Sequence, residues 1–191
     1  VKIGIVGFLT QYIPHWEKPS IIKDLTFQSI LTTAKDILPD LRQSVDLLIV
    51  AYHGGFERDL QTGLPTESLT GENEAYQLVE EYKDYIDALV TGHQHREIAD
   101  HLFGVPVIQP GYRGAFVGEI ELELDNHKKV VASNARLHKT ENCKVSSEVN
   151  QLISVVSEEA EDWLDQPMGE VHGEMIIRDP MTARLIEHPY I

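Results

Sequence analysis

Ile86-Asp87-Ala88-Leu89-Val90-Thr91-Gly92-His93-Gln94-His95 is the stretch on which the fold is decided. Its first half is a short apolar run that reads as a buried strand, and its second half is a turn carrying two imidazoles. On an extended backbone, side chains two residues apart face the same way, which would aim both rings at one place. Neutral imidazole is the commonest protein ligand for a transition metal. His-x-His alone is a weak signal, since nine histidines in 191 residues produce it by accident roughly 0.4 times. A preceding glycine lowers that figure to roughly 0.03, so the context has to be weighed.

Upstream, Val45-Asp46-Leu47-Leu48-Ile49-Val50-Ala51-Tyr52-His53-Gly54-Gly55 is a second apolar run that ends on histidine and glycine. Open α/β sheets bind ligands at the carboxyl ends of their strands, where both histidine groups would sit. Residues 2–8 read as a further buried strand, followed by an excursion over 10–25 without regular structure, marked by Pro14 and Pro19. Helical spacing of Ile30, Ala34, Ile37, Leu38 and Leu41 predicts a helix over 27–44, kinked or broken at Pro39. A second helix is expected over 72–85, with Ala75, Leu78, Val79 and Tyr82 on one face. This β-α-β-α-β order predicts parallel strands with helices packed outside.

Beyond the histidine pair the pattern changes to short strands over 105–109, 116–124 and 129–137, with Asp125-Asn126-His127-Lys128 as a hairpin turn. A helix is expected over 146–165. Its apolar stripe, Val149, Leu152, Ile153, Val156, Ala160, Trp163 and Leu164, reads as core, and its acidic run 157–162 as a solvated face. Residues 169–191 lack the apolar pattern of a core and read as a linker. The chain opens directly on a strand without methionine, and the expectation is a piece of something longer.

Charge narrows the function. Thirty-one acidic residues against 16 basic give a net charge of −15, which argues against binding a nucleic-acid polymer. A small phosphate-bearing substrate is compatible with that balance if metal ions supply positive charge locally. The single cysteine, Cys143, excludes an internal disulfide and leaves the compartment open. No apolar run approaches a membrane span.

His53-Gly54-Gly55 after a strand, followed by Gly92-His93-Gln94-His95, resembles the second half of the calcineurin-like metallophosphoesterases. The likeness is to their 5′-nucleotidase and 2′,3′-cyclic-nucleotide phosphodiesterase branch. Gly71-Glu72-Asn73-Glu74-Ala75, Val107-Ile108-Gln109-Pro110-Gly111, Gly118-Glu119-Ile120 and Arg184-Leu185-Ile186-Glu187-His188-Pro189 match it in order. The resemblance implies a metallophosphoesterase-type layered αββα sandwich, second half only, with a mixed sheet and flanking helices. It divides the chain into the C-terminal half of a catalytic domain (1–140), a closing or linker helix (141–168), and a linker with the start of a C-terminal nucleotidase domain (169–191).

The same resemblance implies a metal-dependent phosphoester hydrolase acting on nucleotides, with two divalent transition metals such as zinc or manganese. His53 and His93 would bind one metal and His95 the other. The family's Asp-x-His, Gly-Asp-x-x-Asp and Asn-His motifs precede this segment, and the expectation is that none occurs within it. No catalytic residue is therefore expected within the chain, and metal occupancy in the chain alone is expected to be weak and partial. Glu72, Asn73, Arg113 and His15 are candidates to orient a ligand or touch substrate, with helix-start chemistry as the competing reading of Glu72 and Asn73. The expected partners are a nucleotide or other small phosphoester and the missing N-terminal half of the domain. The face left for that half should be an exposed sheet edge with an apolar surface, prone to self-association. A second reading from another class is a non-catalytic metal- or partner-binding module of the same fold.

Overall fold

The computed structural model describes residues 1–170. Four strands run parallel: β1 (Ile3–Leu9), β2 (Leu47–His53), β3 (Ala88–Thr91) and β5 (Val105–Pro110). β4 (Glu97–Leu102) lies antiparallel beside β5, so the five-stranded sheet has the order β1-β2-β3-β5-β4. A β6–β7 hairpin (Phe116–Leu124 and Val130–Lys139) forms a separate two-stranded sheet. The fold is thus the mixed α/β architecture that the strand–helix alternation predicts. β4 went unpredicted because Glu97-Ile98-Ala99-Asp100-His101-Leu102 buries only Ile98 and Leu102, too sparse an apolar pattern to read as a strand.

Register decides which face is core. In parallel pairs, laterally matched residues share a face, so Phe8, Tyr52 and Thr91 lie together, as do Val6, Val50 and Leu89. This face is covered by α2 (Ile30–Ser44) and α3 (Ala75–Tyr82), whose Ile30, Ala34, Leu38, Leu78 and Val79 are buried against it. α2 runs on through Pro39 without a break, since the ring forfeits one backbone hydrogen bond while Ala34 and Leu38 remain fully packed. Ser29 caps its start, accepting the Thr32 N–H. α3 is shorter than expected and begins at Ala75, because residues 71–74 are held in the loop that builds the site. The excursion after β1 carries a 3₁₀ turn (Ile13–His15) and a single-turn helix, α1 (Pro19–Ile22), where none was expected.

The opposite face is partly bare. Around Val90 and Ile108 it meets Gly118, Ile120 and Leu122 of the hairpin, and a Cβ at Gly118 would stand 2.7 Å from Ile108 Cδ1. Over the edge strand β1 no described element covers it, leaving Ile3, Ile5 and Leu9 exposed at 54, 73 and 60%.

Residues 144–170 form a unit of their own. Its helix α4 (Ser147–Leu164) is capped by Ser146, whose hydroxyl accepts the Val149 N–H at 3.3 Å. No other element of this unit is described, and no residue of α4 is buried. The expectation that Trp163 and its stripe are core is therefore not met, since no other described element of this unit packs against the helix. Most of the predicted linker and the motif at 184–189 fall outside the described residues. No helix among the described residues is long and apolar enough to cross a membrane.

Candidate metal centre

His53 is the last residue of β2, and Gly54-Gly55 turn the chain away behind it. β3 ends one strand over at Thr91, and Gly92 donates its N–H to the Gly54 carbonyl at 3.2 Å. The two turns are thereby tied together, and the rings of His53 and His93 meet edge to face with centroids 5.3 Å apart. Glycine is required at 54, where a Cβ would sit 2.1 Å from the ring of buried Tyr52.

Periodicity along a strand does not govern the histidine pair, because β3 has already ended. His93 and His95 both adopt left-handed backbone, with φ of 67° and 58°. Each such non-glycine residue costs roughly 1–2 kcal/mol, so the surrounding structure must hold the turn. The two rings have separate neighbours. His93 Nε2 lies 2.8 Å from Glu72 Oε1, and its ring packs beside Trp16 with centroids 5.5 Å apart. His95 stacks on Tyr112 at 5.1 Å, and Arg113 lies over the same tyrosine ring, 5.4 Å from its centroid. His15 stacks on Tyr12 at 3.8 Å, and Tyr12 in turn packs on Trp16, so a line of rings runs from the β1 loop to His93.

Of the sequence candidates, the structure joins His53, His93 and Glu72 directly, and His15 through Tyr12 and Trp16. His95 and Arg113 are grouped with each other around Tyr112. Asn73 is buried, accepts the Gly55 N–H at 2.6 Å and donates to Glu67 at 2.8 Å. Asp125-Asn126-His127 contains both Asp-x-His and Asn-His, yet it occupies the β6–β7 turn. There the Asp125 carboxylate accepts the N–H groups of His127 and Lys129, so those residues serve the hairpin.

Sequence reasoning missed Gln94, Glu67, Glu57, Trp16 and Arg96. Gln94 Oε1 accepts the Phe56 N–H at 2.9 Å, while its Nε2 donates to the Phe56 carbonyl at 3.1 Å and to Glu67 at 3.0 Å. These partners stand 27 and 38 residues away, and no local pattern announces them. Buried Glu57 accepts the N–H groups of Tyr76 and Gln77, both at 3.0 Å, at the start of α3. Burial pushes its carboxyl above the usual range against the pull of those backbone donors. Burial, reinforced by the charges of Glu57 and Glu81, carries Glu74 up to about 7, although it accepts from Gln11 at 3.2 Å. Beside the histidines opens a cleft of about 730 Å³, lined among others by Thr66, Ser68, Thr70, Asn73 and Arg96.

The donor chemistry suits one side of a transition-metal site. Two imidazoles face each other, and a carboxylate fixes one of them in the manner that ligating histidines commonly show. Zinc sites take three or four protein ligands, and among the described residues no three His, Cys, Asp or Glu side chains stand together so as to hold an ion. The residues present therefore fit a metal as a partial ligand set.

No family model matches the chain. A crystal structure of a Staphylococcus aureus protein assigned as a 5′-nucleotidase, in complex with α-ketoglutarate, superimposes with a TM-score of 0.83. It is 39% identical and covers 98% of this chain and 37% of that one. The chain belongs to the 5′-nucleotidase family of metallophosphoesterases. Its relatives in this family include the 2′,3′-cyclic-nucleotide 2′-phosphodiesterase/3′-nucleotidases of Salmonella typhimurium and Yersinia enterocolitica. The first is 30% identical over 66% of this chain and 21% of its own length, the second 24% over 98% and 32%. The chain spans 9 to 32% of the first curated relatives it matches. Family membership implies divalent metals.

Proposed function

We propose that this chain supplies part of the metal-binding half of a phosphoester hydrolase acting on nucleotides, of the 5′-nucleotidase or 2′,3′-cyclic-nucleotide phosphodiesterase type. The observation that carries the reading is the meeting of His53 and His93 at the carboxyl ends of neighbouring parallel strands, with Glu72 on the second ring. His53 and His93 would hold one divalent ion and His95 a second, with zinc or manganese as the metals. Such a pair of ions, when bound, clamps the phosphoryl group and supplies hydroxide near neutral pH.

The chain's own residues provide orientation and access. Glu72 fixes the tilt of His93, and Asn73 holds the Gly55 end of the His53 turn. The neighbouring cleft gives a nucleotide hydroxyl-bearing walls at Thr66, Ser68 and Thr70. Arg113 and His15 stand at the two ends of the aromatic surroundings, where a phosphate or base would approach. With a net charge of −15, attraction of an anionic substrate depends on the metals.

Residues 1–140 read as the C-terminal half of a catalytic domain, 141–168 as its closing or linker helix, and 169–191 as the way into a nucleotidase domain. The bare face over β1 supports this division, because it is the surface a first half would cover. In the chain alone, metal affinity is accordingly weak, and the bare face promotes self-association.

The test is phosphate release from 5′-nucleotides and 2′,3′-cyclic nucleotides by the full product of the gene, with manganese or zinc. Turnover is expected to fall in His53→Ala and His93→Ala by more than the roughly 10–100-fold typical of lost outer-shell partners. A folded wild-type protein without turnover, or variants that retain it, would overturn the assignment.

A further inference from the structure

Between the two histidines of the Gly92–His95 turn lies a glutamine whose amide has three hydrogen bonds, all directed at the neighbouring turn or its loop. Starting from Gly55, the connections form a closed circuit. The Gly55 N–H is bound by Asn73 Oδ1 at 2.6 Å, and Asn73 Nδ2 donates to Glu67 Oε1 at 2.8 Å. Glu67 Oε2 accepts from Gln94 Nε2 at 3.0 Å, and the Gln94 amide grips both backbone groups of Phe56, the residue after Gly55. Each link of this circuit is long-range in sequence except Glu67 to Asn73.

We propose that Gln94, held by Glu67, is a positioning residue that sets the spacing of His53 and His93. The inference rests on the metal-centre reading above but concerns how the site is held, not what it binds. Three observations carry it. First, the backbone is left-handed at His93 and His95, the residues on either side of Gln94, and the amide's three bonds are among those that oppose relaxation of that strain. Second, Phe56 is fully buried, so its N–H has no water to turn to if the amide leaves, and its carbonyl keeps only the Arg96 guanidinium at 3.3 Å. Third, the space is shaped for the amide: a Cβ on Gly55 would lie 2.0 Å from Gln94 Oε1 and 2.3 Å from Gln94 Cδ.

The chemistry of the amide is specific. Oε1 faces a donor while Nε2 faces two acceptors, an arrangement that neither a carboxylate nor an alkyl group reproduces. Gln94→Glu would set a second carboxylate against Glu67 and the Phe56 carbonyl. Gln94→Leu keeps most of the volume and removes all three bonds. In either variant the Phe56 segment is held to the histidine turn only through the Gly92–Gly54 bond and Arg96, so it can shift, and with it the separation of the two rings.

The experiment uses the whole 191-residue chain. Zinc and manganese are titrated into wild type, Gln94→Leu and Glu67→Gln by calorimetry at a temperature where circular dichroism shows all three folded. In parallel, the His53 and His93 ring signals and exchange of the Phe56 amide are followed by NMR without metal. Wild type is expected to bind metal, with affinity reduced about 10–100-fold in Gln94→Leu and less in Glu67→Gln, which keeps an oxygen for one of its two partners. The ring signals should shift and the Phe56 amide lose protection. Unchanged affinity and unchanged ring signals in folded Gln94→Leu overturn the proposal, since a purely structural role would lower Tm and leave both alone. If wild type binds no metal, the ring signals and the Phe56 amide alone decide whether Gln94 sets the spacing, and the metal reading is decided by turnover of the full gene product. Should Gln94→Leu not fold, Glu67→Gln decides by the same two readouts.

Discussion

Glu57 shows how a single residue can hold the fold and the site together. It leaves the chain four residues after His53, is buried at 4% exposure, and spends both carboxylate oxygens on the first free N–H groups of α3. A negative charge at a helix N-terminus is favourable on both hydrogen-bonding and dipole grounds. Here it also ties the His53 turn to the helix that follows the Glu72–Glu74 segment. Glu57→Gln keeps one acceptor and turns an NH2 toward the other N–H, while Glu57→Ala abandons both. The expected loss for Glu57→Ala is about 2–3 kcal/mol, read as a fall in the urea midpoint at unchanged slope. Glu57→Gln should lose part of that. Equal stability of Glu57→Ala and wild type would show that water replaces the carboxylate and that the cap is dispensable.

At the scale of elements, the β1–α1 excursion and the loop before α3 meet through Gln11 and Glu74. Glu74 carries a carboxyl raised from 4.5 to about 7, chiefly by burial and then by the charges of Glu57 and Glu81. A carboxyl raised on folding binds its proton more tightly in the native state, so its contribution is fully present below about pH 4.5. It is lost as pH climbs through about 7. Glu57 is raised in the same direction and adds to the trend. Tm is therefore expected to fall between pH 5 and pH 8, and Glu74→Gln, which cannot ionise, should flatten that slope and be more stable than wild type at pH 8. A slope unaffected by Glu74→Gln would place the titration elsewhere.

These elements also show what could be read from the sequence. The parallel strands β2 and β3 and the helices α2 and α3 were legible because their apolar residues recur at the period of the element and face one core. The histidine-bearing ends of the strands followed from the same reasoning. What was hidden is non-local. β4 becomes a strand only because β5 offers it an edge, and Gln94, Glu67 and Glu57 acquire roles only when segments 19 to 38 residues apart are brought together. The extended backbone expected to aim both rings at one place gives way to left-handed residues at His93 and His95, since histidine carries no local mark of the conformation that glycine would.

At the scale of the whole molecule, the informative asymmetry is between the two faces of the five-stranded sheet. One is sealed by α2 and α3; the other is sealed only near β3 and β5, by the hairpin. Ile3, Ile5 and Leu9 stand in line on the open face of β1, which is also the edge strand of the sheet among the described residues. An exposed apolar row on an unprotected edge favours association with another surface. If that surface belongs to the rest of a catalytic domain, the isolated chain should find a substitute in its own copies. Sedimentation of the 191-residue chain is then expected to show mass rising with concentration. Ile5→Lys, which places a charge at the centre of the row without touching the helical side, should restore the monomer while leaving the circular dichroism spectrum unchanged. In the full gene product the same substitution should do the reverse of rescue, lowering Tm and turnover because the position is covered there. A chain that stays monomeric at high concentration, together with a full-length Ile5→Lys protein as stable as wild type, would mean that this face is solvated in the parent and that the division at residues 1–140 is wrong.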